Sequence, residues 1–180
     1  MMFRLPRIRA TTLLFTLILT AACNSLAADL DAVAVKQLGL PNQREPASDV
    51  IVSGQPTVDQ LTALKRAGVR HVINLRPAAE MDWNEKAAVE QLGMQYHSIP
   101  VAGLSDINSA NAQQLDQLLN SINGEGVLLH CASGNRVGAL RALSAAKKGA
   151  SVDTAIEEGK HWGMTRLEPA VRQRLNSQAQ

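Results

Sequence analysis

The sequence predicts an α/β domain of three layers, with helices on both faces of a central, mainly parallel sheet of four to five strands. Three observations predict it. Short apolar runs of strand length alternate with stretches that have helical apolar spacing. Several of the helical stretches stop at a glycine, and no repeat, low-complexity tract or composition break divides the chain.

The elements follow in order. Asp49-Val50-Ile51-Val52 reads as a first strand, ended by Ser53-Gly54-Gln55-Pro56. Thr57 can cap a helix over residues 57–67, with Val58, Leu61 and Leu64 on one face and Gly68 at its end. Residues 69–75 form a second strand, closed by Arg76-Pro77. A short helix over residues 84–92 ends at Gly93, and residues 94–101 form a third strand. Residues 108–122 make a helix with Leu115, Leu118, Leu119 and Ile122 at core spacing. Residues 126–130 form a fourth strand, 131–136 a loop, and 137–148 a helix stopped by Gly149. Ser151 caps a further helix to about residue 162, and Glu168-Pro169 opens the last, proline being suited to a first helical turn. Residues 28–48, with Pro41, Asn42, Gln43 and Pro46, read as an irregular lead-in to a single domain over 49–180.

Residues 1–27 read as a signal peptide. Arg4, Arg7 and Arg9 form a basic region, followed by an apolar stretch over residues 10–22 that is short for a bilayer span. Ser25-Leu26-Ala27 before Ala28 suits cleavage with release to the periplasm. Thr20-Ala21-Ala22-Cys23 offers an alternative, a lipid anchor at Cys23, although its Leu19 stands one position early. Release is favoured. Without residues 1–27 the chain carries 15 basic against 16 acidic residues, so nothing argues for nucleic acid or an anionic surface as partner. Cys131 is then the sole cysteine, which excludes an internal disulfide.

That cysteine lies in Leu128-Leu129-His130-Cys131-Ala132-Ser133-Gly134-Asn135-Arg136. A thiol between a strand end and a helix start, with a guanidinium nearby, favours a reactive thiolate. Loop amides at a helix N-terminus favour a bound oxyanion. The competing reading is a small buried apolar residue.

These residues resemble the cysteine-dependent phosphatases, which carry His-Cys, a Gly-containing loop and Arg. More closely, the chain resembles a bacterial dual-specificity-phosphatase-like group, related to the phosphatase-like domain of beta-lactamase-hydrolase-like proteins and to phosphatase domains fused to NAD kinase. The likeness is carried by Ser53-Gly54-Gln55-Pro56-Thr57, Val72-Ile73-Asn74-Leu75-Arg76-Pro77, Ile99-Pro100-Val101 and the Cys131 loop, and it covers most of residues 50–165. It implies that Cys131 attacks phosphorus and that Arg136 clamps the phosphoryl oxygens with two prongs. Loop amides over Ala132, Ser133, Gly134 and Asn135 would bind the oxygens, and His130 would support the loop. It implies Asp106 as proton donor, against a simple role before the helix near Asn108; Glu80 and Asp82 are alternatives. Arg76 binds a second anionic group or pairs with Glu80. The implied substrate is a phosphorylated small molecule or phosphoprotein, with no cofactor and no metal.

The spacing from Cys131 to Arg136 is four residues, one fewer than in the common phosphatase loop, and Val137 replaces the usual hydroxyl residue. The same spacing resembles the rhodanese loop, so a sulfurtransferase with a Cys131 persulfide is the second reading. A phospho-ligand binder without turnover is the third. His71, His97 and His161 lack metal-ligand spacing with Cys131. Trp162 and Trp83 read as packing residues, with Trp83 also able to line the site mouth. Lys147 and Lys148 read as a solvated helix end.

Overall fold

The computed structural model describes residues 30–178; the expected signal peptide, its expected cleavage point and Cys23 lie outside the described residues. One sheet contains β1 (Arg44–Ala47), β2 (Val50–Ser53), β3 (Val69–Asn74), β4 (Gln95–Ser98) and β5 (Gly126–His130), in the order β1-β2-β5-β3-β4. The last four pair parallel, and β1 runs antiparallel along the edge of β2. The strand that comes last in sequence therefore enters the middle of the sheet. Its next residue, Cys131, emerges at the carboxyl edge between the ends of β2 and β3, where open α/β sheets bind ligands.

The described residues also form α1 (Ala32–Lys36), α2 (Val58–Arg66), α3 (Glu85–Gln91), α4 (Ser109–Ile122), α5 (Asn135–Lys147), α6 (Val152–His161) and α7 (Glu168–Gln178). Strand side chains alternate between the two faces. Ile51, Val72 and Leu128 pack with Val35, Leu61, Leu64 and Val89 of α1 to α3. Val50, Val52, Ile73, Val127 and Leu129 pack with Leu115, Leu140, Ile156 and Val171 of α4 to α7. These two cores make the three layers.

Three local expectations change. The lead-in is not irregular. Asp31 Oδ1 accepts the Val33 and Ala34 N–H groups at 3.1 and 3.0 Å and starts α1, while Arg44–Ala47 adds the edge strand, where Pro46 is tolerated. The strand expected over residues 94–101 is regular only to Ser98. Beyond it, the Ile99 and Val101 N–H groups still donate to Asn74 O and Leu75 O at 3.0 Å, on either side of Pro100. Finally, α5 begins at Asn135 rather than Val137, because Gly134, at φ 79°, turns the chain directly into the helix.

The α4–α5–α6 face is tied by charge. Asp116 accepts from Arg141 Nη1 at 2.6 Å, from Lys148 Nζ at 2.7 Å and from Ser144 Oγ. Arg141 also donates to Glu158 at 3.1 Å, and its guanidinium lies 4.2 Å from the Trp162 ring centre. Burial pushes the Asp116 carboxyl up, but hydrogen bonds from Lys148 and Ser144, with the charges of Arg141 and Lys148, outweigh it and hold the group below its ordinary 3.8. A carboxyl lowered by folding adds stability above its unfolded value and loses it as pH falls through the folded one. Asp116→Asn should therefore lower the urea midpoint at neutral pH, and its difference from wild type should close as pH falls below about 4.

Helices α5 and α6 meet through glycines. A Cβ on Gly138 would lie 2.3 Å from both Gly159 O and Met164 N, contacts that backbone cannot yield. Gly138→Ala should cost at least about 1–3 kcal/mol by equilibrium urea unfolding, as overpacking does elsewhere.

Candidate active site

The loop after β5 is shaped by close backbone packing. Cys131 is 1% exposed, and its sulfur accepts the Ser133 N–H at 3.4 Å. Ser133 bridges to Gly54, and a Cβ on Gly54 would meet Ala132 O at 2.9 Å and Pro41 Cβ at 3.0 Å. Gly54 N donates to Pro41 O at 2.7 Å. Gly54 of the Ser53-Gly54 motif is thus a packing requirement of the loop, with no room for a side chain at that position. A cavity of about 350 Å³ opens over Cys131, lined by the loop, Arg136, Arg166 and Leu167.

Two arginines share one carboxylate here. Arg136 Nη2 donates to both oxygens of Glu80 at 2.8 Å. Its Nη1 is buried and has no partner among the described residues. Arg76 donates from Nη1 to Gln55 Oε1 at 2.6 Å and from Nη2 to Glu80 O, while its Nε stands 3.5 Å from Glu80 Oε2. Of the two expectations for Arg76, pairing with Glu80 is the contact present. Glu80, weighed as a proton donor, holds two guanidinium groups. Arg76, exposed Asp82 and Trp83 line a neighbouring cavity of about 480 Å³, so Trp83 does not line the Cys131 cavity.

Behind the loop lies a carboxylate that sequence reasoning missed. Glu85, 2% exposed, accepts from Gln55 Nε2 at 2.8 Å and Asn74 Nδ2 at 2.7 Å. His130 Nε2 stands 3.2 Å from Glu85 Oε1, at ion-pair distance but off the line of the ring N–H. Asn74 Oδ1 accepts the Arg76 N–H at 2.7 Å, and Asn74 Nδ2 reaches Tyr96 Oη at 3.0 Å. Burial raises the Tyr96 phenol, against the Asn74 hydrogen bond and with help from the Glu85 charge, so it stays neutral. The signal available in sequence was the pair of amides, Gln55 and Asn74, inside the two motifs already singled out.

The remaining candidates divide. Asp106 lies in a single 3-10 turn, Leu104–Asp106, and its Oδ2 accepts the Ala102 N–H at 2.8 Å. It does not line the Cys131 cavity, and Asn108 is the residue that caps α4. Asn135, whose backbone amide is expected to bind substrate, lines the Cys131 cavity and directs its buried side chain to the segment before α7. It donates to Thr165 Oγ1 at 2.9 Å and accepts the Thr165 and Leu167 N–H groups at 3.0 and 3.3 Å. Arg166, between those two contacts, is a cavity residue that sequence reasoning did not name. His71 and His97 stack 5.4 Å apart on adjacent strands, with His71 Nε2 3.3 Å from Glu125. Burial and the neighbouring His71 lower His97. His161 meets Pro46 O at 3.2 Å.

No family model matches the chain. The beta-lactamase hydrolase-like protein of Xylella fastidiosa is 39% identical over 98 residues, 52% of this chain and 22% of that protein. Its counterpart in Agrobacterium fabrum is 32% identical over 118 residues, 62% of this chain and 27% of that protein. The chain thus spans about a quarter of the length of the curated relatives it matches. Among solved structures, a candidate phosphatase of Neisseria meningitidis (nma1982) is 25% identical, covers 76% of this chain and 97% of its own, and has a TM-score of 0.61. The core catalytic domain of the PP-IP phosphatase SIW14 of S. cerevisiae is 14% identical, covers 75% of this chain and 83% of its own, and has a TM-score of 0.58. The likeness read from the motifs is met again in both comparisons, and with its cysteine loop leaving the central strand, the chain has the fold of the cysteine-dependent phosphatases.

Proposed function

We propose that this chain is an exported cysteine-dependent phosphatase that hydrolyses phosphate monoesters through a phosphocysteine on Cys131. One observation carries the reading. A buried thiol and a buried, unpartnered guanidinium prong, Arg136 Nη1, belong to residues lining the same cavity. A buried donor without an acceptor is costly unless a ligand supplies one. Glu80 holds the other prong, so Arg136 meets a phosphoryl oxygen with Nη1 rather than with the full fork.

The proposed sequence of bonds is simple. The Cys131 thiolate attacks phosphorus, a sulfur–phosphorus bond forms, and the ester oxygen leaves with a proton from Asp106. Water then attacks phosphorus and gives its proton back to Asp106. The sulfur–phosphorus bond breaks, which releases inorganic phosphate and restores the thiolate. Loop amides stabilise the equatorial oxygens. Asp106 must exchange its hydrogen bond to Ala102 N for one to the leaving oxygen. Substrates are phosphorylated small molecules or phosphoproteins. Export rests on the basic and apolar regions within residues 1–27, with a lipid anchor at Cys23 as the alternative destination.

A paired turnover assay on reduced protein tests the reaction class. One arm uses an aryl phosphate, the other thiosulfate with cyanide. The aryl phosphate should be hydrolysed, Cys131→Ser should abolish this, and Arg136→Ala should abolish binding of vanadate. Cys131-dependent thiocyanate formation without phosphate release would favour the sulfurtransferase instead. Asp106→Asn should slow an alkyl phosphate by about 100-fold, and an aryl phosphate with a good leaving group much less. Equal rates for wild type and Asp106→Asn on the alkyl ester would remove Asp106 from the mechanism.

A further inference from the structure

The turn that carries Arg166 is built into the Cys131 loop. Asn135, itself a loop residue in the first turn of α5, holds Thr165 and Leu167 through three hydrogen bonds, on both sides of Arg166. The same turn is pressed against α5 at Gly138, where Met164 N would lie 2.3 Å from any Cβ. Gly163, at φ 93°, brings the chain to within 3.5 Å of Gly134 O, as measured from its Cβ position. The backbone on either side of Arg166 is therefore fixed relative to the thiol. Its side chain is not: Arg166 is exposed, lines the Cys131 cavity, and has no ion pair or hydrogen bond among the described residues. Arg76 and Arg136, by contrast, are both engaged by Glu80.

We propose that Arg166 is a specificity-determining residue of this site, which selects phosphate esters bearing a second anionic group beside the scissile phosphoryl group. This rests on the phosphatase reading of the Cys131 cavity. The first phosphoryl group meets the loop amides and Arg136 Nη1. The second anionic group, a neighbouring phosphate or carboxylate, meets the Arg166 guanidinium at the rim, where no carboxylate among the described residues pairs with it. A planar guanidinium on a fixed backbone recognises such a group with two parallel donors. Its exposure makes the contribution sensitive to salt.

Calorimetry of Cys131→Ser protein with inorganic phosphate and with inorganic pyrophosphate tests this, with and without Arg166→Ala. Pyrophosphate should bind more tightly than phosphate. Arg166→Ala should weaken pyrophosphate about tenfold more than phosphate, and Arg166→Lys should recover part of the loss. In turnover, Arg166→Ala should raise KM for a doubly anionic ester well beyond the change for phenyl phosphate, with the difference in KM rather than kcat. Equal weakening of both anions, or no weakening of either, overturns the assignment while leaving the phosphatase reading intact. Selective binding through Arg166 without ester turnover in wild type would overturn the phosphatase reading and keep the anion site. Failure to bind either anion overturns both.

Discussion

A carboxylate that is 2% exposed, Glu85, constrains the whole functional edge. Burying such a charge is costly unless donors surround it. Its contacts come from Gln55 after β2, Asn74 at the end of β3 and His130 at the end of β5. Those are the three adjacent strands around the Cys131 loop, so one buried charge fixes their ends relative to one another. Gln55 and Asn74 each use a second polar atom on Arg76, and Arg76 shares Glu80 with Arg136. A continuous polar path thus runs from the interior to the guanidinium beside the thiol. In such a network the members set one another's orientation.

The opposite wall of the cavity is held by close packing instead. Gly138 and Gly159 let α5 and α6 approach until backbone touches backbone, and the chain leaving α6 lies on the cysteine loop. Asn135 completes that contact with polar bonds that a loop amide alone would not supply. Cys131 therefore sits between a charge-ordered wall and a packing-ordered wall. A site whose geometry is fixed before ligand arrives loses little entropy on binding.

Most of the architecture was legible in the sequence because it follows from periodicity. The runs at Val50 and at Val69, with the cap at Thr57 and the stop at Gly68, are local signals, and they appear as β2, α2 and β3 in the structure. The departures have local causes. The edge strand carries Pro46 and the helix start lies in a Gly134 turn without a side-chain cap, so neither advertised itself. The thiol, its histidine and its arginine were visible as one segment. The partners that orient them were not, because Glu80 lies 56 residues from Arg136 along the chain and Asn135 lies 30 residues from Thr165. Only the fold brings such pairs together. Glu85 read as one more polar residue of a short helix, and nothing in its neighbours announced that it would be buried.

In the proposed reaction Cys131 carries the transferred group as a phosphate ester of its sulfur. Rapid acid quench of reduced wild-type protein during turnover of an aryl phosphate, followed by mass analysis of the peptide containing Cys131, tests it most directly. Phosphate should be found on Cys131 while substrate lasts, and none once it is exhausted. A peptide that stays unmodified throughout turnover, or that carries added sulfur instead of phosphate, would contradict it.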